Sequence, residues 1–165
     1  MPDREVRHPG GAVLIAALRV RPAGEADLDA LVGLLRQLFE LEADFRPDEA
    51  RQRRGLALML EEPERRGVLV AERGRAVVGM VTAQLVVSTA EGAPSALVED
   101  MVVDASERGR GVGAALLRAI EAWAHARGAT RLQLLADREN APAIAFYGRM
   151  GWTRTRLVCL RRGGA

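Results

Sequence analysis

Arg108-Gly109-Arg110-Gly111-Val112-Gly113 lies between an apolar, strand-like run, Ala96 to Val103, and an amphipathic run, Val112 to Arg127. Its alternating glycines leave main-chain N–H groups uncovered where a helix begins. Those amides, the positive end of the helix dipole and the flanking guanidinium groups of Arg108 and Arg110 together make a site for a phosphate or pyrophosphate. Within the helix, Val112, Leu116, Ile120 and Trp123 form the apolar stripe, and Gly128 stops it. Arg131 to Ala136 then alternates as a strand. A strand, helix, strand unit over residues 97 to 136 is a crossover, so its two strands run parallel.

Upstream of this unit, Leu18 to Arg21 reads as a short strand ending at Pro22. Leu28, Leu31, Val32, Leu35, Leu38 and Phe39 recur at helical spacing and predict a helix from about Glu25 to Leu41. A second helix is expected from Asp48 to Glu61, with Leu56, Met59 and Leu60 inward. Val68 to Ala71 and Ala76 to Val87 read as strands joined by a short connection, Glu72-Arg73-Gly74-Arg75, which makes them an antiparallel hairpin. Thr89 to Ser95 is expected to be a polar loop. Downstream, a helix from Ala141 to Met150 and a closing strand from Trp152 to Leu160 complete the pattern. The class is α/β (α+β): a mixed, mostly antiparallel central sheet of about six to seven strands flanked by helices. Residues 1 to 12, rich in Pro and Gly, are expected to be a flexible leader, and 13 to 165 a single domain.

Composition narrows the function classes. A chain of 165 residues with 48% apolar content can build a core without disulfides or metal. The single cysteine, Cys159, has no internal partner and reads as a small core residue, and no Cys/His spacing matches a zinc site. A reducing, cytoplasmic setting fits. Gly11 to Leu18 lacks a small-residue cleavage site and is followed at once by Arg19 and Arg21, so it reads as lead-in to a strand rather than a signal peptide. No apolar run approaches the roughly 20 residues that cross a bilayer. All 24 basic residues are arginine, scattered along a chain whose net charge is only +2, which argues against a nucleic-acid-binding face. The absence of lysine excludes a Walker-type phosphate loop.

The full order of motifs is more specific than the glycines alone. After the strand from Arg131 comes Asn140-Ala141-Pro142-Ala143-Ile144-Ala145-Phe146-Tyr147-Gly148-Arg149-Met150-Gly151-Trp152. With Arg108, Gly111 and Gly113 ahead of Asn140, Tyr147, Gly151 and Trp152, the chain resembles the GCN5-related N-acetyltransferase (GNAT) family from roughly Leu18 to Leu160. The resemblance implies an acyl-CoA N-acyltransferase fold in which the two parallel strands splay apart and the pantetheine arm of acetyl-CoA lies in the gap. It implies cofactor contacts at Met101, Val102 and Val103, at Arg108, Gly109, Arg110, Gly111, Val112, Gly113 and Ala114, and at Asn140, Ala143, Phe146 and Tyr147. No metal is implied. A dimer is common in the resembled family.

Acetyl transfer from a thioester to an amine requires that the amine lose a proton, the carbonyl be polarised and the departing thiolate be stabilised. Tyr147, the only tyrosine, matches the family's thiolate-facing phenol. With reference pKa values of about 10 for tyrosine and about 8.5 for a thiol, full proton transfer is uphill by roughly 2 kcal/mol, so hydrogen bonding with late transfer is the easier role. Glu99, in Leu97-Val98-Glu99-Asp100-Met101, resembles the first member of a Glu-Asp pair carried by some polyamine and small-amine acetyltransferases. Direct deprotonation of an ammonium near pKa 10.4 by a glutamate near 4.3 is roughly 8 kcal/mol uphill. Glu99 is better cast as attracting the cation and passing its proton through water. Strict alternation sends Asp100 to the opposite strand face, solvated or paired with arginine. Asn140 suits a helix cap as well as a cofactor contact, and Asp104 suits a turn. The acidic residues Glu40, Glu42, Asp44, Asp48 and Glu49 fall where the resembled family recognises its acceptor, and they serve equally as a solvated face.

Two other classes stay in view. Gly109-x-Gly111-x-x-Ala114 with Asp137 fits a loose dinucleotide fingerprint, but Asp104 to Arg108 intervenes where that fold needs a tight turn. A non-catalytic acyl-CoA sensor would need neither Tyr147 nor Glu99. The expected activity is acetyl-CoA-dependent transfer to a primary amine of a small molecule or peptide in a ternary complex. The acceptor itself carries no transferable code in the sequence.

Overall fold

Val68-Leu69-Val70-Ala71 is apolar at every position, the pattern of a strand covered on both faces. The structure, a computed structural model that describes residues 17–41 and 46–163, covers it on both. The run belongs to a sheet whose strands β1 (Leu18–Pro22), β2 (Arg66–Arg73), β3 (Ala76–Ser88), β4 (Ala93–Val103) and β5 (Arg131–Leu134) lie side by side in chain order. The first three pairings are antiparallel and the last, β4 with β5, is parallel. Pro22, which cannot donate to a ladder, closes β1 at the sheet edge.

Helices α1 (Leu28–Phe39) and α2 (Glu49–Leu60) cover one face, where Leu31, Leu34, Leu35 and Leu56 meet Val68, Val70, Met80 and Val102. Helix α3 (Val112–His125) covers the other, packing Val112, Leu116, Leu117 and Ile120 on Leu69, Ala71, Val81, Ala83 and Val98. Helix α4 (Ala141–Arg149) adds Phe146 and Tyr147 to the α3 side. At the edge, Arg21 donates to both carboxylate oxygens of Asp27 at 2.8 and 2.9 Å and of Glu72 at 2.9 and 3.1 Å, tying β1 to β2 and to the start of α1. The guanidinium holds both carboxylic acids below their usual range.

Three expectations about elements change. The helix read from Glu25 begins as one 3-10 turn, Glu25–Asp27, before α1 proper. The loop read from Thr89 ends earlier, because Ala93, Pro94 and Ser95 pair with Ser88, Val87 and Val86. The sheet has five strands among the described residues rather than six or seven, since Trp152 to Leu160 pairs with nothing. Alternation makes a segment able to form a strand, but a ladder also needs a second row of N–H and C=O groups within reach. Leu157, Val158 and Leu160 remain 82%, 79% and 90% exposed. Cys159 shares this exposure and is therefore not the core residue expected. The leader, residues 1 to 12, lies outside the described residues. No helix among those described is long and apolar enough to cross a membrane.

Candidate active site

Three helices begin with different chemistry. The Asp48 side chain accepts from the N–H of Arg51 at the start of α2, and Asn140 accepts from Ala143 at 3.1 Å at the start of α4. Helix α3 instead starts at Gly111, with no side-chain cap. Its first turn closes through the N–H of Ala115 on the carbonyl of Gly111, leaving the amides of Val112, Gly113 and Ala114 ahead of it. Gly109 and Gly111 sit at φ 73° and 81°, the left-handed region that favours glycine, and a Cβ at either would meet nothing within 4 Å. The amides therefore face an open cradle. Arg108 is anchored by its Nε to the carbonyl of Val103 at 3.2 Å. Glu107 takes Arg73 at 2.9 Å and Arg110 at 2.8 Å, so two cations share one carboxylate beside the cradle.

Strand β4 reaches the cradle through an irregularity. Val81 pairs with Met101 and Ala83 with Val98, two residues apart on β3 but three apart on β4. The extra residue is a β-bulge at Glu99 and Asp100, both opposite Thr82. Both carboxylates therefore turn to the face of α1 and α2: Gln84 donates to Glu99 at 2.9 Å and Thr82 to Asp100 at 3.0 Å, along the β3 row that includes Met80. The placement of Asp100 on the opposite face, solvated or beside an arginine, is thus corrected, because one inserted residue reverses the alternation beyond it. Asp100 is partly buried, its own N–H donates to the Thr82 hydroxyl at 3.0 Å, and no ion pair reaches it among the described residues. Loss of water around it pushes its carboxyl up to about 6; the Thr82 hydroxyl opposes that rise and the charge of Glu99 adds to it.

The bulge marks a fork. Strands β4 and β5 pair only from Ser95↔Arg131 to Val98↔Leu134, whereas β4 stays on β3 as far as Val103↔Gly79. From Glu99 to Val103 the edge of β4 away from β3 has no strand partner among the described residues, so the two parallel strands do part. Met101 stands at this edge. Its Cε lies 3.4 Å from where a Cβ on Gly113 would sit, with the ring of Phe146 at 3.5 Å, and its sulfur lies 3.8 Å from the Tyr147 hydroxyl. Phe146 and Tyr147 meet edge to face at 5.3 Å. Below them Trp152 donates to Glu121 at 2.9 Å, fixing the end of α4 against α3.

Met101, Gly113, Phe146 and Tyr147, scattered in sequence, are thereby brought together. Val102 and Val112 are not part of that surface through their side chains, which enter the core at 5% and 1% exposure, so only their main chains can serve a ligand. The N–H of Ala143 is already taken by Asn140, which confirms the cap. Asp104 accepts from Ser106 and Gln37 as a turn residue. Of the acidic run, Asp48 caps α2 and Glu49 lies 3.7 Å from Arg36, while Glu42 and Asp44 fall outside the described residues. Asp100 and Thr82 were missed as a pair. The available signal was the spacing of Val98, Met101 and Val103, three apolar residues that cannot share one face of a regular strand. No cluster of His, Cys, Asp or Glu among the described residues could hold a metal ion.

Comparison with known proteins gives a concordant frame. The profile of the Acetyltransferase (GNAT) family matches residues 34–152. Mycothiol acetyltransferase of Thermobispora bispora is 38% identical over 90 residues, 53% of this chain and 30% of that protein. Streptothricin acetyltransferase of Streptomyces lavendulae is 44% identical over 55 residues, 33% of this chain and 29% of its own length. The chain spans from 23% to 65% of the length of the curated relatives it matches. A solved aminoglycoside acetyltransferase from an uncultured soil metagenomic sample, in complex with sisomicin, shares the fold with a TM-score of 0.71 at 22% identity, over 90% of this chain and 96% of that one.

Proposed function

Because this chain belongs to the acetyltransferase (GNAT) family, we propose that it transfers an acetyl group from acetyl-CoA to a primary amine of a small molecule or peptide, directly, with both substrates bound together. One observation carries the reading: the β4–β5 fork opens between an uncapped helix start and a phenol. The coenzyme fits this place because its diphosphate is an anion that needs many N–H donors and close main-chain approach, which Gly109, Gly111 and Gly113 permit. When bound, acetyl-CoA supplies an activated carbonyl and a thiolate leaving group.

The chain's own groups then divide the remaining work. Amides of 108–114 and the guanidinium groups of Arg108 and Arg110 hold the diphosphate. Main-chain groups of Met101 to Val103 on the open β4 edge align the pantetheine arm and polarise the carbonyl as negative charge develops on it. Asn140, Ala143 and Phe146 line the α4 side. The Tyr147 hydroxyl donates a hydrogen bond to the departing sulfur. Glu99, exposed on the acceptor-facing side, attracts a cationic amine. The relatives named for mycothiol and streptothricin and the structure holding sisomicin support acetyl transfer to a small-molecule acceptor.

A thiol-release assay with acetyl-CoA against a broad amine panel tests the proposal. Amine-dependent release of CoA is the expected result. Calorimetric binding of CoA with no turnover on any amine would replace the enzyme with an acyl-CoA sensor, and absence of both binding and turnover would remove the reading altogether.

A further inference from the structure

We propose that Glu107 positions the Arg110 guanidinium for the coenzyme's diphosphate, so that this half-buried carboxylate strengthens the grip on an anion it repels. This rests on the acetyl-CoA reading above.

Arg110 stands between Gly109 and Gly111, at φ 73° and 81°, and its side chain is 42% exposed. A long side chain on such a turn samples many rotamers, and an arriving phosphate must overcome the entropy of fixing it. One bond narrows that choice beforehand. Nη1 of Arg110 donates to Oε1 of Glu107 at 2.8 Å, and no other carboxylate takes this guanidinium among the described residues. A guanidinium carries five N–H donors in one plane, so a single bond to Glu107 leaves the others for an oxyanion.

Glu107, in contrast, is held from three elements. It ends the 3-10 turn Ala105–Glu107, and its N–H donates to the Asp104 carbonyl at 2.9 Å. Asp104 in turn donates its own N–H to Val78 of β3 at 2.9 Å and accepts from Gln37 of α1 at 3.0 Å. From the end of β2, Nε of Arg73 donates to Oε2 of Glu107 at 2.9 Å, so the two carboxylate oxygens serve two arginines. The carboxylate is only 12% exposed, and a charge that far out of water is costly unless its bonds are kept. One side chain thus connects the rigid sheet to the glycine turn.

Two effects oppose each other at this carboxylate. Its charge repels the diphosphate, while its bond holds a cation ready for it. Repulsion acts across a cradle open to water, where salt screens it, whereas orientation counts in full each time the anion binds. Orientation should therefore prevail. Taking away a negative charge beside this anion site should then weaken, not strengthen, the binding of the anion.

Calorimetry of CoA with the native protein, Glu107→Gln, Arg110→Ala, the double variant and Arg110→Lys tests this. Glutamine keeps the shape of Glu107 and can still accept from Arg73, so the turn should hold. Glu107→Gln should raise Kd about tenfold and Arg110→Ala at least as much, while the double variant should stay within about twofold of Arg110→Ala, because the two losses are one loss. Arg110→Lys, at an exposed position, keeps the charge but cannot serve a carboxylate and a phosphate from one plane, and should raise Kd about fivefold. Unchanged or tighter binding by Glu107→Gln, additive losses in the double variant, or Arg110→Lys within about twofold of native would each overturn the positioning role, while CoA binding by the native protein preserves the coenzyme reading. A native protein that does not bind CoA overturns both.

Discussion

Replacing Asp100 by asparagine should stabilise the fold at neutral pH, and the gain should vanish in acid. Folding takes this carboxyl from an ordinary 3.8 to about 6, chiefly because burial penalises its charged form. The folded protein therefore binds the proton more tightly than the unfolded chain does. Its contribution is complete below pH 3.8 and is lost as the pH rises through 6. At about 1.4 kcal/mol for each pKa unit, the gap amounts to roughly 3 kcal/mol of stability sacrificed to keep an ionised Asp100 in the fold. Asparagine stays neutral throughout, matches the shape and can still accept from Thr82. Carboxylates remote from Asp100 are untouched by the change, so the difference between variant and native isolates this group together with its coupling to Glu99. Urea unfolding by linear extrapolation at about pH 3.5 and about pH 7.5 measures it. The variant-minus-native difference should grow by roughly 2–3 kcal/mol between the two pH values in favour of the variant. Parallel stability curves across that range would refute the burial argument and leave the bulge as packing alone.

Three further outcomes follow from the site and core. Tyr147→Phe should lower kcat by about 100-fold or more with CoA affinity little changed, and steady-state kinetics beside calorimetry separates the two; an unimpaired kcat removes Tyr147 from the mechanism. Gly111→Val places a β-branched residue at φ 81°, at a cost of about 1–2 kcal/mol, and covers the cradle, so CoA binding should be abolished in a chain that still folds by circular dichroism; retained affinity contradicts the diphosphate site. Gly67→Ala would put a Cβ 2.9 Å from Ile120 Cδ1 and the Trp123 ring and should cost about 1–3 kcal/mol in denaturant unfolding with catalysis unaltered, since the clash lies at the far end of α3; an unchanged midpoint would show that α3 is not seated as tightly as described.

Sequence alone determined what depends on neighbours in the chain. The uncapped glycine turn into α3, the cap at Asn140, the parallel crossover and the hairpin each rest on short-range geometry, and each is present. The convergence of Tyr147 and Gly113 was legible too, though only through resemblance to a family. Tertiary structure alone decided the rest. Alternation marks Trp152 to Leu160 as a strand, yet a ladder needs a partner row, and none lies beside it among the described residues. Alternation likewise sends Glu99 and Asp100 apart, yet registry with β3 inserts a residue between Val98 and Met101 and turns both to one face. Side-chain direction in a strand is set by pairing across the sheet, which a single chain of letters does not display, and one residue of slip reverses every assignment beyond it.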